Sequence, residues 1–158
     1  MPTNFLEYSG GTNGFLAVPA TFMSTELNTL ASGNSATQSV ASNMTQSTWS
    51  SGIWGVAHFL SGGAFTPSAS GYLAIWFLYS PDGGSTFEKV VSNTDQPRNP
   101  DITIPLFNSA YATNDISQSS GIFRLPWWTT KLFVVNHSGV SLPSSGNLIR
   151  IASVAIQY

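Results

Sequence analysis

The sequence predicts an all-β protein: a jelly-roll-like antiparallel β-sandwich of about eight strands, with little helix. Three observations predict it. Short apolar or alternating runs recur along the chain, separated by turns rich in Gly, Pro, Ser and Asn. No long segment keeps the 3.6-residue period of an amphipathic helix. Strand patterns lie near both ends of the chain, as in a jelly roll, where the terminal strands are neighbours in one sheet.

The elements follow in order. Residues 1–22 read as an N-terminal arm or edge strand, because Pro19 interrupts the apolar run Gly14–Phe22. Residues 23–158 read as one sandwich domain. Ser24 or Thr25 can cap a short helical turn that places Leu27 and Leu30 on one face and stops at Gly33; a strand fits as well. Ser35–Trp49 alternates weakly, as a strand with one wet face does. Ile53–Gly63 is a stronger strand, and Gly55 within it marks a bulge or a close approach.

Gly71–Tyr79 is the central strand. Tyr72, Ala74, Trp76 and Leu78 point one way, and Leu73, Ile75, Phe77 and Tyr79 the other. So apolar a strand must be covered on both faces, by a loop, by the arm or by a neighbouring subunit. Pro81, Asp82, Gly83 and Gly84 then form a structural turn: Pro81 presets φ, Asp82 accepts from the backbone and Gly83 supplies a positive φ. Further strands are expected at Phe87–Val91, Asp101–Phe107, Gly121–Trp128, Thr129–Ser138 and Asn147–Tyr158. In the last, Arg150, Ser153 and Gln157 mark where water or a partner is reached.

A chain of 158 residues is the size of one domain with a real core. Aromatics make up 13 % of it and charged residues only 8 %, against a usual charged share of roughly 25 %. Ser, Thr, Asn and Gly supply the polarity instead. A neutral, hydrogen-bonding surface suits a protein packed against other protein, where buried charge is costly. Five Lys and Arg cannot build a basic patch, so nucleic acid is not an expected partner. No run approaches a membrane span, and the N-terminus lacks the pattern of a secretory signal. Synthesis in the cytoplasm without standard export is the expectation.

Catalytic patterns are missing. With no cysteine, thiolate chemistry is excluded. His58 and His137 lack the neighbours that a zinc site or a triad needs, and are expected to be hydrogen-bonded structural residues. The seven carboxylates lie mainly in turns, and Asp82 alone cannot make a calcium loop. The expectation is no enzyme, no cofactor and no metal. The surplus is aromatic. Trp54 and Trp76 are expected in the core. Trp127 and Trp128 are adjacent in a strand-like segment, so one of them should be exposed or at an interface.

Four stretches carry a resemblance: "TELNTLASG" (Thr25–Gly33), "GGAFTPSASGYLAIWFLYSPDGGSTFE" (Gly62–Glu88), "DITIPLF" (Asp101–Phe107) and "KLFVVNHSGVSLPSSGNLIRIASVAIQY" (Lys131–Tyr158). Together they resemble a family of small virion proteins of tailed bacteriophages, the capsid decoration or cement proteins. The shared pattern is a T-E-L-N-x-L segment, a G-Y strand ending in S-x-D-G, a P-L strand, and a closing pair with N-x-[ST]-G and S-G-N. Trp127-Trp128 stands where that pattern has a Pro-Gly-type turn, and residues 1–22 have no counterpart in it.

The resemblance implies a sandwich that binds the outside of a phage head and bridges capsid subunits. It implies the major capsid protein and further copies of the chain as partners, and the capsid surface as the location. The candidate interface is Phe5, Leu6, Tyr8, Phe15 and Leu16 of the arm, with Trp127 and Trp128. The alternative expectation is a carbohydrate-binding or tail-fibre adhesion module that recognises host glycans through its exposed aromatics.

Overall fold

The computed structural model describes residues 6–7, 20–43, 54–90, 95–119, 121–126 and 128–156. It is an antiparallel β-sandwich. The strands are β1 (Leu6–Glu7), β2 (Ala20–Met23), β3 (Ser35–Thr37), β4 (Ser42–Asn43), β5 (Trp54–Leu60), β6 (Tyr72–Tyr79), β7 (Ile102–Pro105), β8 (Ile116–Gln118), β9 (Phe123–Arg124), β10 (Thr129–Asn136) and β11 (Leu148–Ile156). One sheet runs β1-β11-β5-β8, with β2 also on β11 and β9 also on β5. The other runs β3-β10-β6-β7, with β4 also on β10. Taking β1/β2, β3/β4 and β8/β9 as broken single strands leaves eight. Their order is then 1-8-3-6 facing 2-7-4-5, the jelly-roll arrangement. The terminal strands are neighbours, with Leu6 opposite Ile156.

The core lies between the sheets. Ala57 and Phe59 of β5 and Ile149 and Ile151 of β11 meet Leu73, Ile75 and Phe77 of β6 and Leu132 and Val134 of β10. The short segment after β2 plugs one end. Thr25–Leu27 forms a single 3-10 turn, and Leu27 and Leu30 drop into the core. Two buried asparagines tie this plug down. Asn136 donates to the carbonyls of Leu30 and Val140, at 2.7 and 2.8 Å. Asn147 donates to Pro143 O and Asn28 Oδ1 and accepts from Gly62 N–H. Each amide satisfies several loop backbone groups that burial would otherwise strand.

β6 alternates as its sequence predicts, with a second apolar cluster on its outer face. Ala74, Trp76 and Leu78 pack there with Phe133 and Val135 of β10, and Tyr72, Phe87 and Val90 lie against them. Trp76 is 1 % exposed. The cover is the protein's own connection between β6 and β7. Lys131 Nζ sits 4.8 Å from the centre of the Phe87 ring. The Trp76 indole donates to Arg98 O at 2.9 Å. Asp95 bonds His137, whose ring stacks on Tyr72. Both histidines were expected to be hydrogen-bonded, and His137 is.

Several expectations are corrected. Residues 87–90 form no strand: Glu88 N–H reaches Tyr79 O, but no ladder follows. Val91 lies outside the described residues. Of the strand expected over Ser35–Trp49, the described residues 35–43 form only β3 and β4, and residues 44–49 lie outside the described residues. Between β3 and β4, Gln38 pairs with Leu132 through its backbone N–H and its side-chain oxygen, which replaces the ladder. The described residues of Gly121–Trp128 contribute only β9, while β8 was not foreseen. Gly55 is a close approach and not a bulge: a Cβ there would come within 2.5 Å of Leu125 Cδ2, and the β5–β11 register passes through it unbroken. Trp54 is half-buried and joins neither cluster. Ser153 is buried, on the side of β11 that faces the core, and does not reach water.

Glu26 locks the plug to the turn after β3. Its carboxylate accepts from Ser39 N–H at 2.8 Å, Ser39 Oγ at 2.6 Å and Ser24 N–H at 3.2 Å. Partial burial raises the pKa, but these donors outweigh it and hold the group at about 2. A carboxyl with a lowered folded-state pKa stabilises the fold above its unfolded value of 4.5, and the contribution is lost as pH falls toward about 2. Glu26→Gln should therefore flatten the acid-side fall of unfolding free energy, measured by urea denaturation from pH 5 downward. Identical pH slopes in the two proteins would contradict this role.

Candidate functional site

β6 is eight residues long, but β7 pairs only with its first four, Tyr72–Ile75. Pro100 has no N–H and cannot continue the ladder. Side chains continue it instead. Asp101 Oδ2 accepts from Phe77 N–H at 2.7 Å, and Arg98 Nη2 donates to Phe77 O at 2.8 Å. Two residues further, Glu88 Oε2 accepts from Tyr79 N–H at 3.3 Å while Glu88 N–H donates to Tyr79 O. Arg98 joins the two carboxylates, at 2.8 Å to Asp101 and 3.3 Å to Glu88. These three charges stand in for a missing strand.

The space left beyond the end of β7 is a cleft of about 780 Å³. Tyr79, Phe123 and Trp128 supply rings, and Asp101 and Arg124 supply charge. A second recess of about 430 Å³, lined by Pro81 and Glu88 among others, shares Tyr79 and Trp128 with the first. Leu125, buried against Gly55, anchors the far wall. Trp128 is 61 % exposed. Burial and the nearby Asp101 carboxylate push the Tyr79 phenol upward, so it keeps its proton at neutral pH.

The Pro81–Gly84 turn borders this region. Gly83 and Gly84 take φ of 74° and 118°, values that favour glycine. Asp82 accepts from Thr86 N–H, Ser80 Oγ, Thr86 Oγ1 and Ser85 N–H. Those bonds hold its carboxyl well below the usual range.

The other sequence candidates divide. Leu6 belongs to β1; Phe5, Tyr8, Phe15, Leu16 and Trp127 lie outside the described residues. His58 is corrected in part: its Nε2 is buried without a hydrogen bond, and burial pushes its pKa down, so the ring is neutral. It pairs across the sheet with Arg150, whose Nε is likewise buried and unbonded. Among the described residues no three His, Cys, Asp or Glu side chains gather as a metal site would need. No helix there is long and apolar enough to cross a membrane.

The Arg98–Asp101–Glu88 group was missed by sequence reading. Its one sequence signal was charge itself, three of the chain's few ionisable residues falling close together around the Pro-rich loop. Comparison with protein-family models, curated proteins and solved structures found no match.

Removing the clamp should cost stability. Arg98→Ala leaves Phe77 O without its donor and two carboxylates without their counter-ion. A loss of about 1–3 kcal/mol is expected in chemical denaturation, with Arg98→Lys in between. A midpoint equal to wild type would show that the edge of β6 is satisfied in another way.

Proposed function

We propose that this chain is a structural virion protein, one that binds the outer surface of a phage capsid and bridges neighbouring subunits. The observation that carries the reading is apolar surface at an open edge of the sandwich. Phe107 and Ile116 are 64 % and 58 % exposed and line one shallow recess. Ile116 lies on β8, and Phe107 follows β7, the outermost strands of the two sheets on that side.

Uncovered edge strands offer unpaired backbone groups to another chain. Exposed large apolar side chains beside them supply the area that makes such a contact hold, and aromatics are favoured at its centre. The low charge of the chain keeps the desolvation cost of that contact small. The stretches that resemble decoration proteins support the same reading. Weak single contacts, repeated over a symmetric shell of capsid protein and further copies of the chain, become avid. The role is adhesion, with no reaction and no cofactor.

The test is binding to heads that lack the protein. The double variant Phe107→Ser/Ile116→Ser should bind at least about tenfold more weakly, equivalent to 1.4 kcal/mol or more. Its thermal midpoint should stay near that of wild type, because both side chains are exposed. Equal occupancy of heads by variant and wild type would overturn the proposal.

A further inference from the structure

We propose that the cleft between Tyr79 and Trp128 binds a neutral saccharide. The site lies at the far end of the sandwich edge from Phe107 and Ile116, and the inference does not depend on shell binding.

Three observations converge. The first is size and form. At about 780 Å³, joined to a second recess of about 430 Å³, the cleft has the volume of a small-molecule site and is open enough for a chain of rings. The second is the exposed indole. Trp128 offers a broad flat apolar face that no described part of the protein covers well. A pyranose presents a face of C–H bonds that stacks on such a ring, with hydroxyls around its rim.

The third is the supply of unused polar atoms. Both internal bonds of Asp101 end on Oδ2, and those of the Glu88 carboxylate end on Oε2. Asp101 Oδ1 and Glu88 Oε1 are left as strong acceptors, each on a carboxylate already held in place by Arg98. The Arg124 side chain has no ion-pair or hydrogen-bond partner among the described residues and supplies donors on the cleft wall. Fixed acceptors and donors alternating with ring faces suit a polyhydroxylated ligand. A purely apolar ligand would leave these groups desolvated and unpaired. The charges select against ions as well: Asp101 and Glu88 balance Arg98 and Arg124, so neither a phosphate nor a cation meets a net attracting field.

The experiment uses the isotope-labelled full chain. A microarray of bacterial surface glycans is screened first; cellotetraose, maltotetraose and chitotetraose are then titrated by NMR. Saturable shifts are expected in the amides of 77–79 and 123–125 and in the Trp128 indole, with Kd between about 10 μM and 1 mM. Trp128→Ala should weaken binding at least tenfold and Arg124→Gln several-fold, with their remaining spectra unchanged. Raising salt to 0.5 M should leave affinity unaltered, as for an uncharged ligand.

Three results would overturn the inference. They are no response on the array and none to 10 mM of any tetrasaccharide, undiminished affinity in Trp128→Ala, or shifts in the cleft from a prolyl tetrapeptide but from no saccharide. Head binding by the same Trp128→Ala protein should match wild type, which separates this site from the open edge.

Discussion

The fold depends on one constraint, that β6 has to be dry on both faces and satisfied along both edges. Tyr72–Tyr79 carries no charged side chain. One face closes the core between the sheets, and the other would be a large exposed apolar patch if left open. The chain covers it with its own β6–β7 connection, fastened by the Trp76 indole, the Phe87–Lys131 contact and the Asp95–His137 pair. Because the connection spends its length crossing this face, β7 is short. The charges of Arg98, Asp101 and Glu88 then complete the edge that β7 does not reach. The cleft beside Trp128 exists because a strand is missing there and side chains took its place.

The asparagines show a second economy. The T-E-L-N stretch is far in sequence from N-x-S-G and S-G-N, yet all three meet at one end of the sandwich. Asn147 bonds the Asn28 side chain there, and Asn136 bonds the Leu30 carbonyl two residues on. Motifs that look like three unrelated turns act as one fastening for the Leu27–Leu30 plug. Neutral amides can be fully satisfied when buried, which suits a chain that uses so few charges.

The all-β sandwich and the two-sided burial of β6 were legible because they follow from local pattern. Period-2 alternation assigns Leu73, Ile75 and Phe77 to one face and Ala74, Trp76 and Leu78 to the other without knowledge of any neighbour. What the pattern cannot register is a side chain taking a backbone's place. Gln38 interrupts the strand expected over Ser35–Trp49 in that way, and Glu88 makes Phe87–Val91 resemble a strand while serving as a single rung. Polarity misled at Ser153, where a small hydroxyl fits the inner face despite having no partner. One of the adjacent Trp127 and Trp128 was expected at the surface or an interface, and Trp128 is exposed. The carboxylates around it were not foreseen, because Glu88, Arg98 and Asp101 meet only once the connection has folded back over β6.

If β6 is sealed by its own chain, the Trp76 face is closed to partners, while the β7/β8 edge and the Trp128 cleft stay open. Amide hydrogen exchange on the dilute, isolated protein tests this most directly. The account predicts that β6 and β10 amides are the slowest to exchange in the monomer, with Phe77 and Tyr79 N–H protected as well as Leu73 and Ile75. Rapid exchange along β6 that slows only when the protein associates with copies of itself would contradict it, and would make the outer face of β6 an interface.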